Sequence, residues 1–101
     1  MKVWLDDQRE APEGWVRTKT ANETIELLKS GRVEVLSLDH DLGEDETSGT
    51  GYDVLLWLER EAQAKRFKRQ IDIRVHSANS AARPRMEQAI EQIKRYVKQD
   101  R

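Results

Sequence analysis

The sequence has no cysteine. A disulfide framework, thiolate catalysis and cysteine-ligated zinc are therefore excluded. Long apolar runs are missing too. The longest is Val54 to Leu58, far short of the ~18 residues that a membrane-spanning helix needs. The opening Met1-Lys2-Val3-Trp4-Leu5-Asp6-Asp7 puts two carboxylates where a secretory signal needs an apolar core, so no such signal is expected there. An excess of one charge is also lacking. Lys and Arg number 18 against 19 Asp and Glu, a net of -1, which argues against a general basic footprint for duplex DNA. No repeat, low-complexity tract or linker breaks the chain. Together these absences predict a soluble, cytoplasmic protein with neither membrane nor duplex DNA as a partner.

Hydrophobic and charged residues each make up 37% of the 101 residues. A chain of this length suits one domain spanning 1–101, with a small core and helices that bury a single face. Lys2 to Asp6 reads as a short apolar strand ending in acid, and Gln8 to Gly14 as a loop carrying Pro12 and Gly14. Trp15 to Thr18 reads as a brief second strand. Thr20 and Glu23 stand in capping-box spacing ahead of a helix with Ile25 and Leu28 on one face, stopped by Gly31. Val33 to Leu38 is apolar on both faces, as in a buried parallel strand. Glu44 to Gly51 reads as a mobile acidic loop, and Thr50 with Asp53 as a second capping box. The next helix, Gly51 to Phe67, sets Val54, Leu55, Leu58 and Ala62 at helical spacing. Ile71, Ile73 and Val75 alternate with Asp72 and Arg74 as a further strand. A last helix, from about Ala81 to Val97, carries a stripe of Met86, Ala89, Ile90, Ile93 and Val97, with Pro84 tolerable only in its first turn.

Strands alternating with helices predict right-handed βαβ units and a mainly parallel sheet of about four strands, covered on both faces as a three-layer αβα sandwich. Ligands bind such sheets at the carboxyl ends of the strands. Three of the strands end there in polar residues: Asp6-Asp7, then Asp39-His40-Asp41, then His76-Ser77-Ala78-Asn79. Clustered carboxylates repel unless a cation or a shared proton relieves them, and oxygen-only ligands suit Mg2+. Asp6, Asp7, Asp39 and Asp41 are therefore the candidate metal ligands. The chain's 2 histidines, His40 and His76, both fall at strand ends and are the candidate acid and base, with Asp39 the less favoured nucleophile beside water. Ser77 and Asn79 precede the last helix, whose N-terminus attracts anions. Arg9 and Arg83 are the preferred arginines for holding a phosphate. Trp4 and Trp15 flank the acidic loop, where Trp15 offers a surface for a base. Leu56 and Trp57 make the long helix apolar on more than one face, which leaves a dimer contact open.

Paired Asp after one strand, Asp after a second and Ser after a later one resemble the acidic pocket of response-regulator receiver domains, a flavodoxin-like fold. That resemblance makes Asp6 and Asp7 metal acids, Asp39 the phosphate acceptor and Ser77 the accompanying hydroxyl. Two features differ: Gln8 to Gly14 stands where receivers carry their first helix, and neither a fifth strand nor the charge-sensing Lys is read. A closer similarity is to the cyclic-phosphate processing receiver domain. It rests on Trp4 to Arg9 with Pro12, Gly14 and Trp15, on Ser37 to Gly43, on Thr50 to Asp53, and on His76 to Asn79 with Arg83 and Met86. It implies a receiver-like domain acting on a cyclic phosphate, on a nucleotide or an RNA end. Three readings follow in order of preference: a metal-assisted phosphoesterase, a non-catalytic nucleotide-binding module, and a phospho-accepting switch.

Overall fold

The computed structural model describes residues 1–40, 49–77 and 79–99. Its elements are β1 (Lys2–Leu5), β2 (Val16–Thr18), α1 (Ala21–Lys29), β3 (Val35–Leu38), α2 (Gly51–Gln63), β4 (Asp72–Val75) and α3 (Arg83–Gln99). The four strands form one sheet in the order β2-β1-β3-β4, every neighbouring pair parallel. This is the parallel α/β sheet that the alternating pattern predicts, in the receiver-like form that the resemblance implies.

Side-chain alternation divides the sheet cleanly. Val3, Leu36 and Ile73 stand in register across β1, β3 and β4, as do Leu5, Leu38 and Val75. They meet Val54, Leu55 and Leu58 of α2 and Met86, Ile90 and Ile93 of α3 in one buried core. The predicted stripe of the last helix is buried throughout. The layering is where the molecule differs from the sandwich expected. α1 packs on α2 and α2 on α3, so the helices share one face of the sheet. The cause is the direction of the crossovers. From β2 over β1 to β3, and on to β4, the chain always steps the same way, and right-handed connections then fall on one side. The single step in the other direction, β1 to β2, is made by the helix-free segment 6–15.

Local chemistry sets the boundaries. Thr20 Oγ1 accepts the Glu23 N–H at 3.1 Å, and the Glu23 carboxylate reaches back to the Thr20 hydroxyl. Thr50 and Asp53 complete a reciprocal capping box, with the Thr50 N–H 2.8 Å from Asp53 Oδ2. β3 begins at Val35 rather than Val33, although Val33 is still buried in the core. α3 begins at Arg83 because the Asn79 side chain first accepts the Ala81 and Ala82 N–H groups in a preceding turn. Pro84 falls in the first turn of α3, as expected. Most of the predicted loop, residues 44–48, lies outside the described residues.

The two helix ends that enter the left-handed region differ. α1 stops at Gly31, φ 76°, where a missing Cβ removes the steric cost. α2 stops before the predicted Phe67 because Lys65 takes φ 64°. A side chain there costs about 1 kcal/mol. Lys65→Gly is therefore expected to stabilise the fold by ~0.5–1 kcal/mol, a rise of a few degrees in Tm by calorimetry. An unchanged or lower Tm would show that the Lys65 side chain contributes more than its backbone conformation costs.

Candidate functional site

The same alternation that builds the core builds the site. Trp4 and Asp6, Ser37 and Asp39, and Arg74 and His76 are each two residues apart, so each pair projects to the face opposite the helices. Asp6, Asp39 and His76 bring ligand atoms within 4.8 Å of one another at the carboxyl rim.

Asp6 is 1% exposed. Its Oδ1 accepts the N–H groups of Gln8 and Arg9, both at 2.9 Å, which turns the chain after β1 without a helix. Its Oδ2 lies 3.2 Å from His76 Nε2 and 3.6 Å from Arg9 Nε. Burial opposes ionisation of Asp6, but the Arg9 and Gln8 N–H groups and His76 outweigh it. They hold the carboxyl below its ordinary value of 3.8.

His76 is held on three sides. Nδ1 is 2.7 Å from Ser37 Oγ, Nε2 faces Asp6, and the ring stacks on Trp4 at 3.7 Å with planes 4° apart. Burial pushes its pKa below 6.5, against the pull of Asp6 and Asp39. A neutral ring facing a carboxylate carries its proton on Nε2, so the Ser37 hydroxyl donates to Nδ1. The pH dependence of the metal-free protein follows. Well above pH 6.5 His76 is neutral whether folded or not. As pH falls below 6.5 the unfolded chain takes up a proton that the folded ring resists, so stability falls. The Asp6 contribution persists above 3.8 and is lost as pH falls through its lower folded value. Urea midpoints in EDTA are expected to decline from pH 7.5 to pH 5, and His76→Gln is expected to flatten that decline. An identical slope in the variant would place the proton uptake elsewhere.

The other predicted residues take distinct places. Asp39 Oδ1 accepts the His40 N–H at 2.8 Å, and the residue is 9% exposed. Asp7 Oδ1 is buried with no hydrogen-bond partner among the described residues, an arrangement that a cation would satisfy. Among the described residues, His40 and Asp7 stand outside the close trio. His40 is partly buried, and its carbonyl accepts the Gly51 N–H. Asp41 lies outside the described residues. Ser77 is buried, and its Oγ accepts the Asn79 N–H at 3.0 Å. Arg83 reaches the Ser77 carbonyl at 3.4 Å and Glu87 at 3.8 Å. Arg9 is about half exposed beside Asp6. Asn79 spends its side-chain oxygen on the turn before α3. On α2, Leu56 is exposed and Trp57 packs at the core edge.

Sequence reasoning passed over Ser37 and the stacking role of Trp4. A signal was available: Ser37 is the polar interruption of an apolar strand and stands two residues before Asp39. Chemically, the rim offers mainly carboxylate oxygens, which suit a hard cation, with one neutral imidazole whose proton faces them. Among the described residues no helix is long and apolar enough to cross a membrane. No curated protein and no solved structure matches the chain. The family model of the cyclic-phosphate processing receiver domain matches residues 1–92, which include every strand and most of α3. The chain therefore belongs to the cyclic-phosphate processing receiver domain family.

Proposed function

We propose that the protein is a metal-assisted phosphoesterase that opens a cyclic phosphate on a nucleotide or an RNA end, acting in the cytoplasm. The observation that carries this reading is the convergence of Asp6, Asp39 and His76 at the carboxyl rim. Asp6, Asp7 and Asp39, joined by Asp41, would hold Mg2+, whose chemistry is to offset phosphate charge and stabilise the transition state. The chain's own groups supply the rest. Arg9 stands at the rim to meet the phosphate, and Ser77, Asn79 and Arg83 border it on the β4 side. His76 holds a proton on Nε2, with Ser37 behind it to take up either tautomer. His40 is its partner in acid–base transfer, and water is the nucleophile.

One observation favours a second reading, a nucleotide-binding module without turnover. Both ring nitrogens of His76 are already engaged, by Ser37 and Asp6. Phosphorus NMR on a panel of 2′,3′-cyclic, 3′,5′-cyclic and cyclic dinucleotide phosphates, with Mg2+, Mn2+ or EDTA, separates the two. Ring opening that EDTA stops, and that His40→Ala and His76→Ala each slow by about a hundredfold or more, is the expected result. Line broadening of a bound ligand without ring opening on any substrate would leave the binding module.

A further inference from the structure

We infer that the helix-free face of the sheet is a track for single-stranded RNA running into the rim. This deepens the reading above and rests on it, because it names an RNA end rather than a free cyclic nucleotide as the substrate class. The argument begins with direction. Asp6, Asp39 and His76 do not open toward the helices. They share the parity of Trp4, Ser37 and Arg74, so a ligand whose phosphate sits at the rim continues over the opposite face of the sheet.

That face has the composition of a nucleic-acid surface. The strand residues facing it include Lys2, Arg17 and Arg74, with Asp72 the one carboxylate among them. Asp72 is engaged by Arg74 at 2.7 Å. Arg17 gives its Nε–H to the Asp6 carbonyl and keeps its charge without a carboxylate partner among the described residues. Lys2 Nζ lies 5.8 Å from the centroid of Trp15, and Trp15 meets Trp4 edge-on at 5.9 Å. Aromatic rings interleaved with cations bind single strands by stacking bases and screening phosphates, with little regard to sequence. From Asp6 back to Lys2 the track runs about 13 Å, too long for a single phosphate group.

A helix or a second copy is the poorer occupant. Covering Lys2, Arg17, Asp72 and Arg74 with apolar side chains would strip water from four charged groups, of which two form one exposed pair. RNA brings phosphates for the cations and leaves their far sides wet. The net charge of -1 does not oppose this, since the cations gather on one face while carboxylates crowd the rim.

The test is fluorescence anisotropy with a 5′-fluorescein pentauridylate ending in a 3′-phosphate, which has no ring left to open, competed by uridine 3′-monophosphate. It is run beside turnover of uridine 2′,3′-cyclic phosphate. The pentamer is expected to bind at least tenfold more tightly than the mononucleotide. With two phosphates on Lys2 and Arg74, its affinity is expected to fall roughly sevenfold between about 50 and 200 mM salt. The double variant Lys2→Glu, Arg74→Glu, on exposed side chains, should abolish that tenfold gain and leave mononucleotide turnover unchanged. Trp15→Leu should weaken the pentamer selectively. Turnover of the mononucleotide with no gain for the pentamer would overturn the track alone. A gain for the pentamer with no turnover of any cyclic substrate would support the track and overturn the enzyme. Binding of neither would overturn both. Self-association broken by the double variant, seen by sedimentation, would give the face to a second copy instead.

Discussion

Replacing Gly51 with alanine is expected to lower the melting temperature by more than about 12 °C, the equivalent of roughly 3 kcal/mol in a domain of this size. The reason is space, not backbone freedom. A Cβ at Gly51 would overlap the Asp39 carbonyl oxygen and come within 3.0 Å of both the Asp39 carbonyl carbon and Met86 Cε. Two of these three neighbours are main chain, so no rotamer change relieves the contact. Gly51 opens α2 and gives its N–H to the His40 carbonyl at 3.3 Å, which seats the helix directly against the end of β3. Alanine must therefore push α2 away or displace Asp39, and the site is expected to lose turnover along with stability. Gly14→Ala is the control. Gly14 has φ 87° with nothing within 4 Å of its would-be Cβ, so only the left-handed penalty of about 1–2 kcal/mol applies. Equal melting temperatures for Gly51→Ala and the parent would mean that α2 can move off β3 at little cost, and that Asp39 is less firmly placed than its contacts imply.

That close seating of helix on strand marks the limit of what sequence shows. The apolar periods and the capping pairs at Thr20 and Thr50 are local signals, and they placed every strand and helix to within a few residues. The rim was legible because parallel strands bring their carboxyl ends together wherever each strand begins. The final turn of α2 was not, because nothing in Lys65 advertises a left-handed residue that glycine usually supplies. The uncovered face was hidden for a different reason. A two-sided sheet is the common outcome of βαβ winding, and only the strand order shows that the three helices fall on one side. The roles inside the site were the least accessible. Asp6 and Asp39 look alike in sequence, each an acid two residues beyond a strand's last outward-facing side chain. The structure gives them different partners: Asp6 closes a turn and braces His76, whereas Asp39 accepts the N–H of its own neighbour.

That difference sets the second large effect. Asp39→Asn is expected to reduce kcat/KM on the cyclic substrate by about a thousandfold or more, roughly 4 kcal/mol of transition-state stabilisation. It is not expected to destabilise the metal-free fold. The amide oxygen that the substitution puts in place of the carboxylate can still accept the His40 N–H, and a negative charge leaves a rim where the Asp6 and Asp39 carboxylates lie close together. Melting in EDTA should therefore match or exceed the parent. The readout that isolates the metal is the shift on adding Mg2+. A site saturated a hundredfold over its Kd stabilises the parent by about 2.7 kcal/mol, and the variant should show little of that gain. Asp6→Ala should behave oppositely, melting low with or without Mg2+, because the Gln8 and Arg9 N–H groups and His76 all lose their acceptor. If Asp39→Asn melts as low as Asp6→Ala in EDTA, Asp39 is a brace like its neighbour. If it keeps the full Mg2+ shift, the cation is held without it, and the division of labour between the two acids fails.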